Sequence, residues 1–76
     1  MKELLLYMAQ NLVEHPEQVR VTELAGDPAV LELRVAPEDM GKVIGRNGRI
    51  AKEIRAIMKS VAQRKGVRIA VEIVDE

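Results

Sequence analysis

Residues 43–54 read VIGRNGRIAKEI, and this stretch decides both the fold and the candidate site. Its two glycines let the backbone turn tightly and approach a ligand closely, because neither has a Cβ atom. The helical pattern that begins at Arg49 offers unpaired N–H groups and positive dipole potential to an anion. The Arg and Asn between the glycines both carry hydrogen-bond donors. The stretch therefore predicts a clamp for a phosphate backbone, formed by Gly45, Arg46, Asn47 and Gly48.

The length and composition indicate one small globular domain over residues 1–76. A chain of 76 residues buries only about 60% of its unfolded surface, so its core is small. With 47% apolar and 32% charged residues it is not disordered, and the absence of cysteine excludes disulfides, thiolate catalysis and cysteine-based zinc sites. No apolar run approaches the roughly 20 residues that span a bilayer, and the N-terminus does not resemble a signal peptide. We expect a cytoplasmic protein.

The charges are segregated along the chain. The formal net charge is zero, yet residues 42–65 contain eight Lys or Arg against the single acid Glu53, a net charge of +7. The rest of the chain then carries −7. Segregation of this kind concentrates a positive field on one surface and repels a polyanion from the others. This distribution favours nucleic acid as the partner.

Hydrophobic spacing predicts six elements in the order α-β-β-α-α-β, an α+β fold. Apolar spacing predicts a helix over 2–14, ended by Pro16, with Leu6 and Tyr7 as surplus apolar residues that indicate a partner surface. Alternation predicts strands over 19–25 and 30–35, joined as a hairpin, and over 67–74. A short helix opens at 36–39, with its acids placed against the helix dipole, and ends at Gly45. The remaining helix covers about 49–64, with Ile50, Ile54, Ile57, Met58 and Val61 on its apolar arc.

The motif and the element order together resemble the type II KH domain, and within it the bacterial single-domain KhpA family. The resemblance covers essentially the whole chain. It implies a three-stranded sheet packed against three helices, and a GXXG loop that holds about four backbone nucleotides of single-stranded RNA. It also implies a cytoplasmic bacterial RNA chaperone or post-transcriptional regulator. Such a protein acts as a homodimer or as a heterodimer with a larger KhpB/Jag-like protein.

The resemblance also implies a site when carried over residue by residue. Nucleic acid would lie between the GXXG side and a strand edge, with Gly45–Gly48 on the backbone and Ile44 and Ile50 near an apolar floor. Both isoleucines also fit the apolar spacing of the helices, so each is expected to contribute to both the core and the groove. Charge alone adds three phosphate contacts beside the loop: Lys42, Arg49 and Lys52. Four further cations are equally compatible with a solvated helix face and stay outside the predicted site: Arg55, Lys59, Arg64 and Lys65.

Several alternatives stay open. Residues 45–48 are also compatible with a plain helix-turn-helix connector, and the domain with a protein-interaction adaptor or a single-stranded DNA binder. Catalysis is not indicated, because the single histidine, His15, and the single serine, Ser60, cannot form a nucleophile–base set. No P-loop is present, and we expect neither a metal nor a cofactor. Tyr7 is the only aromatic residue and is expected in the core or an interface, so base stacking contributes little and RNA binding should be weak and charge-driven.

Overall fold

The computed structural model describes Met1–Asp75, within which three helices pack against a three-stranded sheet. The elements are α1 Lys2–Leu12, β1 Arg20–Leu24, β2 Ala29–Arg34, α2 Met40–Ile44, α3 Arg49–Arg64 and β3 Ile69–Ile73. Short 3-10 turns lie at Pro16–Gln18, Pro37–Asp39 and Arg46–Gly48. The predicted α+β class and the order α-β-β-α-α-β are confirmed. No helix in the described part of the chain is both long and apolar enough to cross a bilayer.

The sheet has β2 at its centre. β1 and β2 form an antiparallel hairpin in which Val21 faces Leu33. β2 and β3 are parallel, with Leu31 opposite Val71. Parallel neighbours need a long crossover connection, and here α2, the glycine loop and α3 supply it. Within the described residues the strand order is β1-β2-β3, so one edge of β3 has no strand partner.

The core lies between the sheet and the helices. Its fully buried side chains come from all layers: Leu5, Leu31, Leu33, Val43 and Met58. On α3, Ala51 and Ala62 are buried while Ile57 is 48% exposed. The side of α3 that is buried therefore differs from the predicted apolar side: it includes the two alanines and excludes Ile57. Small side chains on the buried side allow the helix to approach the sheet closely.

Element ends differ from the predictions where long-range or capping bonds intervene. α1 ends at Leu12, two residues early, and Val13 is already extended. β3 begins at Ile69 because the preceding residues close α3: Gly66 has a φ of 71°, its N–H bonds the Gln63 carbonyl, and the Val67 N–H bonds the Ala62 carbonyl. This pair of bonds is a Schellman motif, so Gly66 ends the helix as predicted.

Candidate nucleic-acid interface

The glycine loop has a backbone that few other sequences could adopt. Gly45, Asn47 and Gly48 have φ angles of 76°, 57° and 71°. Glycine occupies this region without strain, and Asn is one of the few other residues that visits it routinely. The Gly48 N–H bonds the Gly45 carbonyl at 3.2 Å, which closes a tight turn. The loop is a defined structure between two helices.

The two glycines have different surroundings. A Cβ atom on Gly45 would lie 2.6 Å from Ile50 Cγ1 and 2.9 Å from the Ile50 backbone nitrogen. Nothing lies within 4 Å of the corresponding position on Gly48. Gly45 is therefore required for packing against α3, while Gly48 presents bare backbone to the surface.

The N-terminus of α3 follows the loop directly. Its N-cap is Gly48, and no side chain forms a cap hydrogen bond there. The first N–H groups of a helix lack partners within the helix and attract anions. The Gly48 and Arg49 N–H groups already bond the Gly45 and Arg46 carbonyls. The backbone donors left for an anion are those of Arg46, Asn47 and the next residues in the first turn of α3.

Four predicted cations lie around these donors. Lys42 is in the last turn of α2, Arg46 is in the loop, and Arg49 and Lys52 are in the first turn of α3. Lys42 Nζ lies 3.8 Å from Asp39 Oδ1. Within Met1–Asp75, no carboxylate lies within 4.0 Å of the other three cations. Their charge is available to an external anion.

The two predicted floor residues lie in different places. Ile44 ends α2 beside the loop and is partly exposed. Ile50 packs against Gly45 and lines an apolar groove between α1 and α3, together with Tyr7, Leu12 and Ile57. Tyr7 is 66% exposed, so the expectation that it could belong to the core is wrong. Ile44 thus lies at the surface beside the loop, whereas Ile50 lies behind Gly45 and lines the groove against α1.

Arg55 connects α3 to β3. Its Nε donates to the Val71 carbonyl oxygen at 3.2 Å. This bond occupies a carbonyl on β3, whose outer edge has no strand partner. On sequence grounds Arg55 lies outside the predicted site, because its distance from the loop makes a solvated helix face equally compatible. Its spacing of three residues from Lys52 and four from Lys59 was the available signal.

The sequence did not indicate that Asp39 is buried and hydrogen-bonded to the backbone. Its side chain is 1% exposed, and its carboxylate accepts hydrogen bonds from the Glu14 and His15 backbone N–H groups at 3.2 and 3.0 Å. Burial alone would raise the pKa of Asp39, but these two donors, with smaller contributions from the charges of His15 and Lys42, hold the pKa below its ordinary value. The predicted dipole role was therefore incomplete. Asp39 joins the end of α1 to the start of α2 and lies beside Lys42.

No metal site accompanies this arrangement. Across Met1–Asp75, no group of three or more His, Cys, Asp or Glu side chains could hold a metal ion. The chemistry on offer is backbone N–H groups, cations and a small apolar surface. Such a set is suited to an anionic chain.

Comparisons with known proteins show the family to which the chain belongs. The family model described as KhpA/KhpB, KH domain, matches residues 2–73. The RNA-binding protein KhpA of Clostridium acetobutylicum is 52% identical over 75 residues, which is 97% of this chain and all of that protein. The proteins of the same name from Chlamydia pneumoniae and Treponema pallidum are 48% and 45% identical, over 100% and 97% of this chain and 99% and 94% of their own lengths. No solved structure is significantly similar.

Proposed function

We propose that this chain, which belongs to the KhpA/KhpB family of KH domains and is a non-enzymatic RNA-binding protein, binds short single-stranded RNA through the loop Gly45–Gly48. The conformation and position of the loop carry the proposal. Three of the four loop residues have positive φ, and the loop leads into a helix N-terminus without a side-chain cap, in the stretch of net charge +7. These features together support phosphate binding at the loop.

The phosphates would be held by the loop and its neighbours. The N–H groups of Arg46, Asn47 and the residues that follow Arg49 in the first turn of α3 would donate to phosphate oxygens. The surrounding cations, Lys42, Arg46, Arg49 and Lys52, would supply charge. Ile44, with Ile50 behind the loop, would provide apolar contact for bases. Neutralising about four phosphates predicts a slope of about −3 for log affinity against log salt concentration.

Fluorescence anisotropy with labelled single-stranded RNA tests the loop at two salt concentrations. The test variant is Arg46→Asp/Asn47→Asp, because Asp, like Asn, tolerates the left-handed backbone at position 47. Its matched control is Lys2→Glu/Gln10→Glu, which makes the same change in net charge on exposed positions of α1. We expect salt-sensitive binding by the wild type and the control, and none by the loop variant.

Circular dichroism must show that all three proteins fold. Equal binding by the wild type and the loop variant, or no binding by either, would contradict the proposal and favour the protein-interaction adaptor. A DNA strand of the same sequence in the same assay distinguishes RNA binding from general single-strand binding, because only RNA offers the 2′-OH.

The family membership also bears on assembly. We propose a cytoplasmic RNA chaperone or post-transcriptional regulator that forms a homodimer or pairs with a KhpB/Jag-like protein. The apolar groove between α1 and α3 supports a partner there, because Tyr7, Leu12 and Ile57 are all exposed. Two linked sites would also raise the effective concentration of each and strengthen weak binding.

A further inference from the structure

A second groove lies at the far end of α3 from the glycine loop, and we call it the distal groove. It has a volume of about 470 Å³ and lies between the end of α3, the start of β3 and the turn of the hairpin. Pro28, Val67 and Ile69 contribute apolar surface, and Lys59, Gln63 and Arg68 contribute donors. Apolar walls with a few donors suit a nucleobase and its phosphate.

The charge of the distal groove is positive. Among residues 1–75, no Asp or Glu side chain lines it. Arg68 is paired with Asp27 at 3.0 Å, but within Met1–Asp75 no carboxylate lies within 4.0 Å of Lys59. The neighbouring groove on the other side of Arg68 contains Glu23 and Asp27. Of the two grooves at this end of the molecule, the distal groove is the one suited to an anion.

Polar residues connect the loop to the distal groove along one side of α3. Lys52, Arg55, Lys59 and Gln63 follow one another at intervals of three or four residues, so they lie on the same side of the helix. Arg55 fixes that side against the outer edge of β3 through its bond to the Val71 carbonyl. From Lys52 to Lys59 the rise is about 10 Å. Each turn of the helix between the loop and the distal groove therefore carries a cation.

We propose that the RNA strand held by the loop continues along the β3 side of α3 and places a further nucleotide in the distal groove. The base would contact Pro28, Val67 and Ile69, and Lys59 would meet the adjoining phosphate. This inference rests on the proposed function, since the loop must bind first. It extends the bound RNA beyond the roughly four nucleotides that a GXXG loop holds by itself.

The test compares two oligouridines, one of about four nucleotides and one of about eight, within the range of single-strand site sizes. The variant Lys59→Glu/Gln63→Glu changes two exposed positions on α3. It makes the same net change in charge as the Lys2→Glu/Gln10→Glu control and the Arg46→Asp/Asn47→Asp loop variant. Anisotropy at moderate salt gives the ratio of affinities for the two lengths. The longer RNA offers the loop more binding registers, but their number is the same for every variant, so comparing the ratios between variants removes this effect.

We expect the ratio of affinity for the longer RNA to affinity for the shorter RNA to be about tenfold smaller in the Lys59→Glu/Gln63→Glu variant than in the wild type. A loss of this size corresponds to one charge-assisted contact. It should bind the shorter RNA like the control. If the variant kept the wild-type ratio of affinities for the two RNA lengths, the inference would be overturned and the proposed function would stand. The same holds if the variant lost affinity equally for both lengths. Unimpaired binding of the shorter RNA by the loop variant would instead overturn the proposed function.

Discussion

Gly45 and Gly48 lie three residues apart and both have positive φ, but only Gly48 has room for a side chain. The sequence motif treats them alike. In the structure, the Cβ position of Gly45 is occupied by Ile50 and the backbone of α3. Gly48 is restricted by its backbone angle alone. The two positions should therefore respond differently to the same substitution.

We expect Gly45→Ala to destabilise the fold more than Gly48→Ala. Gly48, with a ψ of 16°, is in the left-handed helical region, where an L-residue costs about 1–2 kcal/mol. Gly45, with a ψ of 175°, is in a region essentially confined to glycine, where an L-residue costs about 1–3 kcal/mol. Overpacking adds about 1–3 kcal/mol at Gly45 only. Urea denaturation followed by circular dichroism measures the two losses. Equal losses would show that Ile50 moves aside without cost.

At the scale of elements, Asp39 connects two segments that are distant in the chain. Its carboxylate accepts hydrogen bonds from Glu14 and His15 after α1, and it lies immediately before α2. A buried carboxylate with two backbone donors is stabilised in its charged form. Its depressed pKa means that folding favours the ionised state. The stability of the fold should therefore depend on this ionisation.

We expect the stabilisation from Asp39 to be fully present above its unfolded-state pKa of about 3.9, and to be lost as the pH falls through its lower folded-state pKa. Asp39→Asn should destabilise the protein at neutral pH and remove this part of the acid dependence. Glu38→Gln is the control, since that side chain is 66% exposed. Urea denaturation across a pH series measures both. If the free energy of unfolding of Asp39→Asn fell with pH as it does in the wild type, the acid dependence would come from other carboxylates.

At the scale of the whole molecule, the apolar groove between α1 and α3 is the feature that a monomer leaves unexplained. Met58 is fully buried, but the adjacent Ile57 is 48% exposed, and Tyr7 and Leu12 lie beside it. Contiguous exposed apolar side chains often mark an interface. The small core of a domain of this size would gain stability from covering them.

We expect the wild type to dimerise at tens of micromolar and Ile57→Glu to be monomeric, because a carboxylate in an apolar interface loses its hydration without a partner. Leu24→Glu is the control, since Leu24 is equally exposed, at 47%, but lies on β1. Sedimentation equilibrium measures the masses. A monomeric wild type would remove the homodimer and leave pairing with a KhpB/Jag-like protein as the remaining assembly.

The sequence by itself determined the order of the elements, the loop and the segregation of charge. Each of these depends on local chemistry: helical and strand periodicity, the backbone freedom of glycine, and charges counted along a segment. The position of residues 45–48 in a loop between two helices, and of Lys52 in the first turn of the second helix, could therefore be predicted from the sequence. The ends of α3 followed from the same local signals, including Gly66.

Only the tertiary structure decided which side of each element faces which neighbour. The bonds of Asp39 to Glu14 and His15, and of Arg55 to the Val71 carbonyl, join residues that are far apart in the chain. The rotation of α3 that exposes Ile57 depends on how closely the alanines let the helix approach the sheet. No local pattern encodes such contacts, because they depend on the relative positions of packed elements.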